Sequence, residues 1–102
     1  MRGIYICLGS NQGDRLAHLK MARSKMVEHS IKTVRASPVY LTPSWGDETQ
    51  PFYLNQVIEV DFDFGPTDLL NELQAVEIEM GEKDIAGLNP GSSILISLHL
   101  DT

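Results

Sequence analysis

Residues 40–60 read YLTPSWGDETQPFYLNQVIEV, and this stretch decides how the rest of the chain is arranged. It joins two apolar segments through a polar loop that contains Pro43, Gly46 and Pro51. From Tyr53 onward the chain alternates. Leu54, Ile58, Val60 and Phe62 fall on one side, interrupted by Gln56, and Tyr53, Asn55 and Val57 fall on the other. Period two with β-branched and aromatic residues predicts a strand over 53–62. Such a strand has one greasy face and one face of polar and aromatic groups. A pocket for a flat, nitrogen-rich ring needs an aromatic surface and a few fixed polar groups. Tyr53 offers the surface, and Asn55, on the same side of the strand, offers both a donor and an acceptor. Thr42, Pro43 and Trp45 are placed to fold over as the opposite wall. The alternative is that Tyr53 and Trp45 are core aromatics and Asn55 a turn residue.

Before this stretch, Ile4, Ile6 and Leu8 alternate with Tyr5 and Cys7 and predict a first strand over 3–9. The turn GSNQGD at 9–14 ends it, and Asn11 or Asp14 is suited to cap a following helix. Leu16, Leu19, Ala22, Met26 and Val27 form a helical stripe, with Arg15, His18, Lys20, Arg23 and Lys25 largely off it on a solvated face. A second strand is expected over 32–40, with Val34 and Ala36 on one face and Pro38 marking an edge or a bulge. After the central stretch, Pro66 opens a helix whose stripe is Leu69, Leu73, Val76 and Met80, with Gly81 expected as a left-handed cap. Residues 93–100 read as a last strand, with Ile94, Ile96, Leu98 and Leu100 on one face. Strand, helix, strand, strand, helix, strand is the ferredoxin-like βαββαβ plan, an α+β fold with both helices on one face of an antiparallel sheet.

A chain of 102 residues is the length of one domain, 1–102. The net charge of -6 and the lack of a basic patch argue against nucleic acid as a partner, including the RNA-binding sheets that share this strand order. No apolar run is long enough for a membrane span. The first residues are a strand pattern rather than a leader, so a cytoplasmic location is expected. The single Cys7 allows no internal disulfide and is expected as a buried, inert thiol. Oligomeric state leaves no mark in the sequence.

Three blocks, LGSNQGDR at 8–15, SPVYLTPSWG at 37–46 and QPFYLNQVIEV at 50–60, occur in order. Together with GPTDLLNELQAVEIEMG at 65–81 they resemble the 6-hydroxymethyl-7,8-dihydropterin pyrophosphokinase family of folate biosynthesis. The resemblance implies an enzyme that uses ATP and magnesium to move a pyrophosphoryl group onto the pterin hydroxymethyl oxygen, with small-molecule substrates. It implies that Thr42, Pro43, Tyr53 and Asn55 line the pterin pocket, that Trp45 replaces an aliphatic pocket residue, and that Gly9, Ser10 and Asn11 form the turn beside the pterin. Gln74 and Glu77 match positions on the nucleotide side. For Glu77 the plain alternative is an exposed helix carboxylate.

The chain departs from that family where the metal site belongs. The family pattern is Pro-Arg, two residues, then Asp, an apolar residue and Asp, and its carboxylates hold the magnesium ions. Here NPGSSILIS at 89–97 puts Gly91 at the arginine position and Ile94 and Ile96 at the carboxylate positions. With no metal ligands, this chain is expected to be inactive as read, leaving a non-catalytic pterin-binding or interaction domain as the alternative. By the resemblance, Ile94 and Ile96 should face the open side of the sheet beside Asn55, and residues 88–97 should pack poorly. One set of synonymous codons for 91–97, shifted by one base, encodes Arg-Phe-Ile-Asp-Ile-Asp-Ile, so residues 82–102 are either native or the product of a frame slip. The resemblance also implies a C-terminal segment that closes over the nucleotide, and the 102 residues end before it.

Overall fold

The structure, a computed structural model, describes residues 3–43, 51–81 and 94–100. The elements are β1 (Ile4–Ser10), α1 (Arg15–Glu28), β2 (Lys32–Ala36), β3 (Tyr40–Thr42), β4 (Tyr53–Asp61), α2 (Pro66–Gly81) and β5 (Leu95–Leu100). The sheet order is β2-β4-β1-β5, with β3 also paired to β4, and every ladder is antiparallel. This is the ferredoxin-like α+β arrangement expected from the alternation.

The edge beside β4 is broken where Pro38 stands. β2 and β3 lie along the same side of β4, separated by residues 37–39. Proline has no N–H to give a ladder, and Ser37 closes the gap instead. Its backbone N–H donates to Val57 O at 2.8 Å, and its hydroxyl accepts from Val57 N at 2.9 Å. Gln56, the polar intruder on the greasy face, is 8% exposed and donates from Nε2 to Ser37 O at 2.9 Å. A register shift between Thr33 and Arg35 leaves Val34 exposed, so Val34 and Ala36 make no shared buried face.

The core lies between the sheet and both helices. Ile4, Ile6 and Leu8 of β1 and Ile58 and Val60 of β4 are at most 2% exposed. They pack against Leu19, Ala22 and Met26 of α1 and Leu69, Leu73, Val76 and Met80 of α2. Leu54 is half-buried against the same cluster. Leu16 and Val27, assigned to the α1 stripe on spacing, are exposed. The three buried α1 positions, i, i+3 and i+7, are enough for one packing face.

Asp14 caps α1, accepting from Ala17 N at 3.1 Å. The other end of α1 is a Schellman turn that the sequence did not announce. Ile31 N donates to Met26 O at 2.9 Å and Ser30 N to Val27 O at 3.1 Å, with Ser30 at φ 65. Met26 and Ile31 are both fully buried and supply the apolar contact of that motif. Gly81 departs from expectation: it is the last residue of α2 and does not have a left-handed φ.

Candidate functional site

Between β1 and β4, Gly9 pairs with Asn55, Cys7 with Val57 and Tyr5 with Glu59. These residues have the parity opposite to Ile4, Ile6 and Leu8, so they stand on the sheet face that no described helix covers. β3 extends this face, because Tyr40 pairs with Asn55 and Thr42 with Tyr53. Tyr53, Asn55, Thr42 and Gly9 therefore meet at one corner of the open face. Asn55 Nδ2 donates to Thr42 Oγ1 at 2.5 Å. That bond fixes the amide and leaves its Oδ1 turned toward β1, since a Cβ placed on Gly9 would lie 3.0 Å from it. The same Cβ would lie 3.5 Å from Tyr53 Cδ1. Glycine at position 9 is what allows the amide and the phenol ring to approach the β1 backbone. Cys7 is half-exposed on this face, which corrects the expectation of a buried thiol.

The neighbouring turn is held from the helix side. Ser10 is 1% exposed and faces inward, where its Oγ hydrogen-bonds His18 Nδ1 at 3.1 Å. Gly13, at φ +59, brings the chain within reach of the same ring: a Cβ there would meet His18 Cε1 at 3.3 Å. Arg15 Nη1 donates to Phe52 O at 2.5 Å and ties the start of α1 to the segment entering β4. Asn11 is half-buried, and Pro43 is exposed at the end of β3. Trp45 lies outside the described residues. Gln74 is exposed on α2, and Glu77 beside it is half-buried, which raises its carboxyl pKa above the ordinary value. Both belong to the helix layer, on the opposite side of the sheet from the Asn55 corner.

The last strand corrects one expectation outright. β5 pairs Leu8 with Ile96, Ile6 with Leu98 and Gly9 with Leu95. Ile96 and Leu98 thus share the parity of Leu8 and Ile6 and pack against the core, and Ile94 is 1% exposed within it. Ile94 and Ile96 face inward rather than beside Asn55. The reason is the side-chain period of two: a slip of one residue exchanges the two faces of a strand. Isoleucines at 94 and 96 gain more from the core than from water, so that phase is adopted. The open-face positions are then Leu95, Ser97 and His99. Of the residues expected to pack poorly, 88–93 lie outside the described residues, while Ile94 is well packed. Among the described residues no three His, Cys, Asp or Glu side chains converge to hold a metal ion. No described helix is long and apolar enough to cross a membrane.

A second polar constellation escaped the sequence reading because its members are far apart in the chain. His29, at the end of α1, is flanked by two carboxylates of α2. Its Nδ1 lies 2.5 Å from Glu72 Oε2 and its Nε2 2.8 Å from Glu79 Oε1. Only an imidazolium can donate from both nitrogens at once. These hydrogen bonds raise the His29 pKa, and the bond to His29 lowers that of Glu79. Lys25 adds an ion pair to Glu79 at 3.6 Å.

Comparison with known proteins adds a family to this geometry. Residues 5–92 match the family model described as 7,8-dihydro-6-hydroxymethylpterin-pyrophosphokinase (HPPK). The chain is 36% identical to the 2-amino-4-hydroxy-6-hydroxymethyldihydropteridine pyrophosphokinase of Aquifex aeolicus, over 82% of this chain and 52% of that protein. Against the enzyme of the same name from Bacillus subtilis it is 38% identical, over 76% of this chain and 47% of the relative. The folate synthesis bifunctional protein of Pisum sativum matches at 37% identity, over 79% of this chain and 16% of that protein. The chain thus spans about half the length of the two bacterial relatives. In fold it is similar to a crystal structure of an unknown protein from Galdieria sulphuraria, with a TM-score of 0.58 at 11% identity, over 99% of this chain and 50% of the other.

Proposed function

Because the chain belongs to the 7,8-dihydro-6-hydroxymethylpterin-pyrophosphokinase family, we propose that it is a single domain carrying the pterin-recognition half of a folate-biosynthetic pyrophosphokinase. The full reaction moves the pyrophosphoryl group of ATP onto the hydroxymethyl oxygen of 6-hydroxymethyl-7,8-dihydropterin and releases AMP. The observation that carries the reading is the corner where Tyr53, Asn55, Thr42 and Gly9 meet. The Tyr53 ring provides a stacking surface, Asn55 Oδ1 provides an acceptor for the ring N–H and amino groups of a pterin, and Gly9 gives the ring access to the strand. Pro43 is assigned to the opposing wall, as is Trp45 by its place in the sequence alone, while Thr42, expected in that wall, bonds Asn55 instead. Ser10 and Asn11 shape the turn, the Ser10 hydroxyl being engaged by His18. Gln74 and Glu77 are assigned to the nucleotide side by family resemblance alone, since they lie in the helix layer and not at this corner. A cytoplasmic location belongs to the same proposal.

Magnesium is the group the family requires, and the described residues do not fit it. The positions matched to its carboxylates are Ile94 and Ile96, which contribute to the core and have no oxygen to give. The expected behaviour of this chain is pterin binding without turnover.

Titration calorimetry with 6-hydroxymethylpterin tests the recognition half. Tyr53→Ala should weaken binding by about 5- to 100-fold, the range of one aromatic stacking contact. Unchanged affinity in that variant would remove the site assignment. AMP release from ATP and the pterin alcohol tests the other half, and robust turnover by the 102-residue chain would overturn it.

A further inference from the structure

A groove runs between the C-terminal half of α1 and the start of β2. It is open, with a volume of about 560 Å³, and is lined by Lys20, Arg23, Ser24, Val27, Lys32 and Thr33. The helix residues are spaced i, i+3, i+4 and i+7, so they form one stripe beside the buried face of Leu19, Ala22 and Met26. The Schellman turn at Ser30 sends the chain back along the helix and brings Lys32 and Thr33 over that stripe.

Its charge is unlike the rest of the molecule. The chain has eight Lys and Arg against fourteen Asp and Glu. Of the described cations elsewhere, Lys25 is paired with Glu28 and Glu79, Arg35 with Glu59, and Arg15 is bonded to Phe52 O. The remaining three, Lys20, Arg23 and Lys32, all line the groove, and no carboxylate does. Arg23 Nε is shielded from solvent and is the one buried side-chain nitrogen or oxygen without a hydrogen-bond partner among the described residues. A buried donor left in that state is costly, so the Arg23 stem is held in the groove wall at the expense of one hydrogen bond, and the rest of its guanidinium is what a ligand can meet.

We propose that this groove is a binding site for a phosphate-bearing small molecule, on the helix side of the sheet and apart from the Tyr53–Asn55 corner. The guanidinium and two ammonium groups supply charge-assisted donors. The Ser24 and Thr33 hydroxyls add neutral donors, and Val27 with the aliphatic lysine stems offers a small apolar wall for an organic substituent. The volume lies in the range of small-ligand sites. The spacing of the cations on α1, read first as a solvated helix face, becomes one wall of a cleft once β2 folds back.

The probe is inorganic pyrophosphate, titrated into the full chain and followed by ¹⁵N amide shifts. Shifts are expected at Ser24, Val27 and Thr33 and not at Asn55, with affinity falling as salt is raised. Arg23→Gln and the double variant Lys20→Ala with Lys32→Ala should each weaken binding by about tenfold or more, while Tyr53→Ala leaves it unchanged. Circular dichroism melts confirm that the variants are folded. The double variant replaces only exposed side chains and so stays informative if Arg23→Gln destabilises the chain. Absence of shifts, equal affinity in the variants, or shifts centred on the open face would overturn the proposal. So would a response to a hexa-aspartate peptide with none to pyrophosphate, which would make the groove a protein-docking surface.

Discussion

β4 and β5 flank the same central strand, in the same antiparallel sense, and both alternate with period two. On β4 the alternation turns Tyr53 and Asn55 to the open face and Ile58 and Val60 inward. On β5 it turns Ile94, Ile96 and Leu98 inward and leaves Leu95, Ser97 and His99 outside. A shift of one residue in that second pattern would exchange its faces. The chemistry a sheet can offer is therefore set by the phase of each strand, and apolar side chains fix that phase before any functional group is considered.

The sharpest way to break this comparison is to place one carboxylate at each phase. Ile94→Asp buries a charge in the core and should cost about 4 kcal/mol or more, enough to unfold much of the population. Leu95→Asp, one residue on and 55% exposed, should change stability by less than about 1 kcal/mol. Urea denaturation measures both. The reverse order would show that β5 has the other phase. By the same contrast, Ile94→Asp and Ile96→Asp together should turn their carboxylates toward the core rather than the open face.

Gly9→Ala examines the β4 side. The new methyl carbon would press on Asn55 Oδ1 at 3.0 Å and should cost about 1–3 kcal/mol through displaced side chains. Pterin binding should fall more steeply than stability, because the displaced groups are those of the proposed pocket. Calorimetric titration beside a urea curve separates the two effects. Equal losses in both would mean that the corner is only a packing site.

The two strands differ in how far their sequences could be read. The start and the buried stripe of α2 were legible, because Leu69, Leu73, Val76 and Met80 recur at helical spacing and Pro66 opens the helix, while its end at Gly81 was not. The shared face of Tyr53 and Asn55 on β4 was legible because the two lie close in the chain and alternate cleanly, whereas Gly9, on β1, was named only through the family resemblance. β5 was legible as a strand but not in its phase, since resemblance placed Ile94 outward and hydrophobicity placed it inward. Hydrophobicity prevailed. The Ser30 turn was not legible, because serine is a weak signal for a left-handed residue. The His29 cluster was hidden by separations of 43 and 50 residues.

That cluster allows a test confined to the helix layer, sparing both strands. The folded-state pKa of His29 is raised above 6.5, so its contribution is fully present below that value and is lost as pH rises through the folded pKa. Glu79 is lowered below 4.5, so its contribution is present above that value and is lost as pH falls through the folded pKa. The thermal midpoint should therefore peak between pH 4.5 and 6.5 on this account. In His29→Gln that peak should flatten, while pterin binding is unchanged. A wild-type midpoint that climbs steadily from pH 5 to 8 would refute the assignment.

The smallest effect is expected at Ser30. Glycine avoids the left-handed penalty of serine but loosens the unfolded chain, and Ser30→Gly should gain about 0.5 kcal/mol net. That corresponds to a rise of about 2–4 °C in Tm. Both strands should be unaffected, so a change in pterin affinity here would couple the helix layer to the open face.

The sheet order has a consequence for the growing polypeptide on the ribosome. Of the described strands, β1 comes first in the chain and lies between β4 and β5 in the sheet, and β4 is the first of those two partners to follow it. At about 5–20 residues per second, the Ile4-Ile6-Leu8 strand waits several seconds for β4, with both of its ladders unpaired. α1 is synthesised in that interval, and Leu19, Ala22 and Met26, which pack in the same core as β1 in the folded chain, are available to it as apolar cover. The helix that bears the basic groove is therefore also the element placed to shield the nascent strand from pairing with another chain.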